Sequence, residues 1–248
     1  MNNRVLKKIT GVIVLTAMLF CIPQMRNLIR LSAAGLIYEA PVIRKGVIHI
    51  ACVGDSITYG AGVLDEKERR IDELTWPYLL EQKYGESTQC LNYGVAGRTL
   101  LKESEYSYTD TAYYRLSMEC GAEGYLIMLG SNDSKAECWN KKRYEAELEE
   151  FVRAYTALPQ KPVVVLMTPP CAFAMEGSET PAYGIRNEII ETDIVPIVKW
   201  TAEKLGIPCF DLYKETKTHP EWFGDGVHPN AEGNAAISEI IFEKIREL

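Results

Sequence analysis

The most constraining feature of the sequence is an apolar run at residues 47–53 that stops abruptly at Gly54, Asp55 and Ser56. The run is rich in β-branched residues and apolar on both faces, which is typical of a buried strand in a parallel sheet. Gly54 permits a tight turn, and Asp55 is a residue type that favours turns and helix caps. Ser56 is therefore expected at the carboxyl end of a strand, where open α/β sheets bind their ligands. From this stretch alone, Ser56 is either a helix cap or a nucleophile.

Further strand-like and helix-like segments alternate along the rest of the chain. Such alternation implies a parallel sheet with helices on both faces, joined by right-handed crossovers. The sequence therefore predicts a doubly wound α/β fold with a five-stranded, mostly parallel sheet, in one domain over residues 45–248. Residues 100–123 are less regular. The later strands are predicted at residues 89–93, 125–129, 162–167 and 208–212, and the helices at residues 74–84, 141–158, 187–205 and 231–246.

The segment before this domain has the character of a membrane anchor. Residues 9–22 are uncharged and apolar and follow a short basic segment, although the stretch is near the lower length limit for a membrane span. A small-residue cleavage site comes late, at residues 32–34. We therefore expect an uncleaved, apolar helical anchor over residues 1–25, a tether over residues 26–44, and an extracytoplasmic domain. Cleavage as a secretory signal is the alternative.

Composition argues against two classes of function. The net charge of −7 and the isoelectric point near 5.2 leave no basic face for binding nucleic acid. Seven cysteines without a Cys-x-x-Cys pair, together with three histidines, do not provide the paired ligands of a zinc site, so buried free thiols are expected. We predict no metal and no cofactor, and the oligomeric state is left open.

Polar or glycine-rich clusters directly follow four of the predicted strands. Because the carboxyl ends of parallel strands meet at one edge of a sheet, these clusters are expected to converge. A fifth cluster precedes the last helix and contains Asp225 and His228. An aspartate three residues before a histidine can place its carboxylate beside Nδ1 and leave Nε2 free to accept a hydroxyl proton. The clusters lie at residues 54–56, 94–97, 130–133, 168–170 and 225–229.

Together, these blocks resemble the SGNH hydrolases, the superfamily of GDSL-type esterases and lipases, and they occur in the family's order. Ser56 matches the nucleophile block, Gly97 the glycine block and Asn132 the asparagine block. Asp225 and His228 match the final block. The resemblance covers the whole predicted domain and implies the SGNH-type, flavodoxin-like three-layer fold.

The resemblance also implies a mechanism. Ser56 would attack an ester carbonyl, with His228 as general base and then general acid, and Asp225 would orient the imidazole. The developing oxyanion would be held by the backbone N–H groups of Ser56 and Gly97 and by the side-chain amide of Asn132. The expected enzyme is a carboxylic ester hydrolase that uses a small-molecule or glycan ester.

The substrate class is a narrower expectation. The motifs that contain Ser56 and His228 resemble those of the carbohydrate-esterase branch, which favours removal of a small acyl group, acetyl above all, from a carbohydrate. A lysophospholipase or thioesterase is an alternative enzyme, and a catalytically idle glycan-binding module is an alternative of another class. Tyrosines in the loops at residues 98–123 and 171–186 could pack internally or face a sugar. Candidate substrate contacts beside the site are Asp55, Arg98, Asp133 and Tyr183.

Overall fold

The five predicted strands form one sheet in the computed structural model of the chain, which describes residues 41–248. Every pairing is parallel, so the predicted five-stranded parallel fold is confirmed. The strands are β1 (Ile48–Gly54), β2 (Thr88–Gly94), β3 (Gly124–Met128), β4 (Val163–Met167) and β5 (Cys209–Phe210), in the spatial order β2-β1-β3-β4-β5.

The predicted anchor over residues 1–25 and most of the predicted tether lie outside the described residues, and both stay predictions. Between residues 41 and 248, the chain has no helix that is both long enough and apolar enough to cross a membrane.

Helices cover both faces of the sheet. They are α1 (Ser56–Tyr59), α2 (Trp76–Tyr84), α3 (Ala112–Glu119), α4 (Lys141–Thr156), α5 (Asn187–Ile189), α6 (Val195–Leu205), α7 (Leu212–Thr216) and α8 (Ala231–Arg246). A π-helical turn, Ile190–Ile194, joins α5 to α6. Short 3₁₀ turns lie at Asp72–Leu74, Gly85–Ser87, Tyr108–Asp110, Asn132–Ser134, Ala182–Gly184 and Pro220–Trp222.

Alternate residues of each strand point to opposite faces and build two cores. On one face, Leu126 of β3 belongs to a buried cluster with Trp76 of α2 and Ile237 of α8. On the other face, Tyr125 packs against Tyr155 of α4 with ring centroids 5.0 Å apart. This division gives the three-layer arrangement, and Ile43–Leu248 form one structural unit.

Three helices, α1, α3 and α7, were not predicted from the sequence, and α3 lies within the segment expected to be irregular. The hydroxyl of Thr111 caps the helix by accepting a hydrogen bond from the N–H of Tyr114. Its tyrosine-rich sequence has only moderate helix propensity. Tertiary packing compensates, since Tyr113 makes an edge-to-face contact with Tyr93 of β2 at 5.7 Å.

The cysteines of the described region are free thiols. Cys52, Cys90 and Cys171 are buried, as expected for small apolar core residues, while the other three are partly exposed.

Candidate active site

The carboxyl ends of the central strands meet at one edge of the sheet. In the strand register, Gly54 of β1 lies opposite Gly94 of β2 and Met128 of β3. The residues that follow these three strands therefore begin at the same level. This alignment brings together the clusters that the sequence places after separate strands.

Ser56 is positioned by a very close approach of α1 to the ends of β1 and β2. A Cβ atom on Gly54 would lie 2.2 Å from Thr58 Oγ1, and one on Gly94 would lie 2.1 Å from the backbone N of Tyr59. Glycine is therefore needed at both positions for packing reasons. Asp55 is the helix cap, because its side chain accepts a hydrogen bond from the N–H of Ile57. Ser56 is the first residue of the helix, so its hydroxyl is not used for capping.

Three side chains form a continuous hydrogen-bonded series at this edge. Asp225 Oδ2 lies 2.7 Å from His228 Nδ1, and His228 Nε2 lies 2.9 Å from Ser56 Oγ. The second oxygen of Asp225 accepts hydrogen bonds from the backbone N–H groups of Val227 and His228. Burial raises the pKa of Asp225, but these hydrogen bonds outweigh it and hold the pKa well below its usual range. The carboxylate is therefore charged beside the imidazole.

This geometry fixes the direction of proton transfer. A carboxylate at Nδ1 requires a proton on that nitrogen, which leaves Nε2 of a neutral ring as the acceptor of the Ser56 hydroxyl proton. Asn234 stabilises the turn that carries Asp225 and His228. The Asn234 side chain is fully buried, donates to the carbonyl of Pro229 at 2.7 Å and accepts from the N–H of Trp76 at 2.9 Å.

The three predicted oxyanion donors also come together. Asn132 begins a 3₁₀ turn after β3, and its Nδ2 lies 3.1 Å from the carbonyl of Arg98 and 3.5 Å from Asp55 Oδ2. Arg98 directly follows Gly97, and Asp55 directly precedes Ser56. Among the described residues, no acceptor is hydrogen-bonded to the backbone N–H of Ser56 or Gly97.

Glycine at position 97 is explained by its backbone. Its φ of +74° is the left-handed conformation, which a residue with a Cβ adopts only at a cost. Apart from Gly97 and its two chain neighbours, no heavy atom of residues 41–248 lies within 4 Å of the place where a Cβ would be. The positive φ, and not a lack of space, therefore accounts for glycine at this position.

Two of the four candidate substrate contacts lie inside the protein. Asp133 is fully buried, and its two oxygens accept the backbone N–H groups of Leu100 and Leu101, each at 2.9 Å. Asp55 is 1% exposed and braces Ile57 and Asn132. Both carboxyl groups therefore bond to neighbouring parts of the protein, and their contact with substrate stays a prediction.

Burial also changes the ionisation of these two carboxyl groups. It raises the pKa of Asp55 to about 6, against the opposing effect of the Ile57 hydrogen bond. Burial likewise raises the pKa of Asp133 to about 7. The hydrogen bonds from Leu100 and Leu101 lower this pKa, and the negative charge of Asp55 raises it further. Both groups thus resist ionisation near the site.

The other two candidates reach the surface of the site. Arg98 is partly buried, and within residues 41–248 its Nε has no hydrogen-bond partner. Tyr183 is 59% exposed and donates a hydrogen bond to Asp225 Oδ2 at 2.9 Å. Sequence reasoning missed this contact with the carboxylate, just as it missed the support that Asn234 gives.

The tyrosines of the first long loop mostly pack internally. Tyr108 is fully buried, and its hydroxyl donates to the carbonyl of Tyr93 at 2.7 Å. Tyr113 is 5% exposed, and Tyr114 stacks on Phe151. Internal packing was one of the two interpretations left open, and it holds for these three side chains.

Within residues 41–248, no cluster of three or more histidine, cysteine, aspartate or glutamate side chains is arranged to hold a metal ion.

The fold and the site together define a class of protein, and comparison with known proteins gives the family. Residues 52–236 match the GDSL-like lipase/acylhydrolase family, and the chain belongs to it. This is the family that the sequence motifs predicted.

Among individual proteins, the chain is 27% identical to the acetylxylan esterase of Xylanibacter ruminicola over 225 residues. The match covers 83% of this chain but 45% of the length of that relative. Two solved structures share the fold. One is a protein assigned as an arylesterase from Agrobacterium tumefaciens str. C58, with 24% identity, a TM-score of 0.68 and coverage of 81% of this chain and 99% of the other. The second is Est24, a carbohydrate acetylesterase from Sinorhizobium meliloti, with 19% identity, a TM-score of 0.64 and coverage of 81% and 99%.

Proposed function

We propose that this chain is a serine esterase that removes a small acyl group, most simply acetyl, from a carbohydrate. The observation that carries the proposal is the hydrogen-bonded series from Asp225 through His228 to Ser56, with its distances of 2.7 and 2.9 Å. The amide of Asn132 contacts Asp55 and Arg98, which are the chain neighbours of Ser56 and Gly97. A base-activated hydroxyl next to convergent donors is suited to acyl transfer.

Each residue has a role in the proposed reaction. Ser56 Oγ attacks the ester carbonyl while His228 Nε2 takes its proton. The N–H groups of Ser56 and Gly97 and Nδ2 of Asn132 stabilise the tetrahedral oxyanion, and one such donor is typically worth ~2.7–4 kcal/mol in the transition state. His228 then protonates the leaving alcohol. Water, activated by the same imidazole, releases the acid from acylated Ser56.

A polar alcohol component is supported by the surface beside the site. Residues 174–180 of the second long loop are exposed and mostly polar, and they precede the exposed ring of Tyr183. The N–H of Phe173 donates to the carbonyl of Gly226 and so joins this loop to the turn that carries His228. An aromatic ring within polar surroundings suits a sugar, which has an apolar face and a rim of hydroxyls. The acetylxylan and carbohydrate specificities named for two relatives agree with this choice.

The proposal is tested by kinetics on two substrate sets. One set is 4-nitrophenyl esters from acetyl to octanoyl, and the other is acetylated xylo-oligosaccharides assayed for acetate release. We expect kcat/KM to be highest for acetyl or propionyl and to fall by octanoyl. A tunnel that buried the chain would instead gain ~0.8 kcal/mol per CH₂, and a rise toward octanoyl would favour a lipase or thioesterase.

The matched variants are Ser56→Ala and Ser87→Ala. Ser87 is an exposed serine just before β2, so it lies at the opposite edge of the sheet. Ser56→Ala should lose nearly all activity on both substrate sets, and Ser87→Ala should retain it. Activity of Ser56→Ala within tenfold of wild type would overturn the proposal.

A further inference from the structure

Tyr183 makes a contact that neither the motif pattern nor the proposed reaction explains. Its phenolic O–H donates to Asp225 Oδ2 at 2.9 Å, and the same oxygen lies 2.7 Å from His228 Nδ1. The ring of Tyr183 also lies 5.1 Å from the His228 ring, at an angle of 60°. The phenol therefore extends the hydrogen-bonded series by one member and covers one side of the imidazole.

The backbone at Tyr183 holds an unusual conformation to make this contact. Its φ of +59° and ψ of +17° place a tyrosine in the left-handed region, which is unfavourable for a residue with a Cβ. Such conformations persist where the surrounding structure imposes them, and they are concentrated at functional sites.

Burial of the ring does not explain this conformation. The side chain of Tyr183 is 59% exposed, so little apolar surface is removed from water. Its polar contact is instead with the charged carboxylate of Asp225, and that contact raises the pKa of the phenol. The loop is fixed beside the site by a bridge between Ala174 and Pro181 and by the bond from Phe173 N–H to the carbonyl of Gly226.

We infer that Tyr183 is a positioning residue of the catalytic series, acting on His228 through Asp225. This inference rests on the proposed function. By donating to Oδ2, the phenol of Tyr183 holds the Asp225 carboxylate in the rotamer that contacts His228 Nδ1. The same hydrogen bond reduces the negative charge of Asp225 that acts on a protonated His228. The loop at residues 171–186 thereby contributes to proton transfer as well as to the wall of the site.

The electrostatic part of the inference has a definite sign. Removing the phenolic hydroxyl leaves more negative charge on Asp225, so a protonated His228 becomes more stable. Because the base must be neutral to accept a proton from Ser56, the acid limb of the kcat/KM profile should move to higher pH. Asp55 also interacts electrostatically with His228, and Lys135 with Asp55, but both are unchanged in the variant.

The experiment compares Tyr183→Phe with wild type over a pH series, using 4-nitrophenyl acetate and the full 248-residue chain. We expect kcat/KM at the optimum to fall about three- to tenfold, as for the loss of one hydrogen bond. We expect the acid limb to move up by about half a pH unit. Tyr78→Phe, at a partly exposed tyrosine of α2, is the control and should change neither quantity.

Two outcomes would overturn the inference. An unchanged rate and profile would show that the contact has no effect, and a lower rate with an unmoved acid limb would show that Tyr183 only anchors its loop. NMR titration of the histidine rings gives the same test without substrate, since the chain has three histidines to assign. If wild type has no Ser56-dependent esterase activity, the proposed function fails. The imidazole titration then still decides whether Tyr183 acts on His228.

Discussion

Replacing Asp133 with asparagine tests whether a buried carboxyl group holds the loop that carries Gly97. Both oxygens of Asp133 accept backbone hydrogen bonds, from Leu100 and Leu101 at 2.9 Å. An asparagine keeps one acceptor but turns an amide NH₂ toward the other N–H. A buried donor without a partner costs about 1–3 kcal/mol, so the free energy of unfolding at pH 5 should fall by that amount.

The same variant makes a prediction about pH, because burial raises the pKa of Asp133 to about 7. An unfolded chain loses this proton near the ordinary pKa of 3.8, so between pH 5 and pH 7 the folded state holds about one proton more. The stability that this group contributes is therefore lost as the pH rises through 7. The loss is about 1.36 kcal/mol per pH unit, or about 2.7 kcal/mol from pH 5 to pH 7.

The assay is urea unfolding of wild type and Asp133→Asn at pH 5, 6, 7 and 8. Asparagine does not titrate, so the advantage of wild type at pH 5 should fall by about 2.7 kcal/mol across this range and vanish or change sign by pH 8. Asp55, whose pKa is raised to about 6, adds a pH dependence of the same sign to both proteins. Asp72→Asn, at an exposed carboxylate, is the control. A difference that stays constant with pH would refute the reasoning.

Three further predictions follow from the site. Asn132→Ala should lower kcat by about 10²–10³, as for loss of one oxyanion donor, and a loss below threefold would contradict that role. Asn234→Ala should lower the free energy of unfolding by about 2–4 kcal/mol, because it leaves the N–H of Trp76 and the carbonyl of Pro229 buried and unpaired; urea unfolding measures this, and a loss under 0.5 kcal/mol would argue against it. Incubation with EDTA should leave kcat/KM unchanged, and activity that disappears and returns with a divalent ion would oppose the serine mechanism.

Much of the fold and the site could be predicted because the signals are local. Each strand is a short apolar run that ends in a glycine or polar cluster, and parallel pairing alone brings the clusters to one edge. The Asp225–His228 contact spans three residues within one turn, so its geometry follows from the spacing. The Ser56–His228 contact spans 172 residues, and it was predicted through the order of the family motifs.

The rest of the fold and the site depends on long-range contacts, which leave no pattern in the sequence. Asp133 meets Leu100 and Leu101 across more than 30 residues, so the sequence could not show that its carboxyl group faces inward. Tyr183 reaches Asp225 across 42 residues, from a short 3₁₀ turn in a long loop. Helix α3 forms because tertiary packing of its tyrosines adds to a moderate propensity.

The central claim is that His228 activates the Ser56 hydroxyl as a nucleophile, and covalent labelling tests it most directly. Treatment with diethyl 4-nitrophenyl phosphate should form an Oγ–P bond at Ser56 and release one 4-nitrophenolate per chain. Intact-mass and peptide mass spectrometry should then show one diethylphosphoryl group, on Ser56 in wild type and absent from His228→Ala. Labelling at another residue, or labelling of Ser56 at the same rate without His228, would contradict the account.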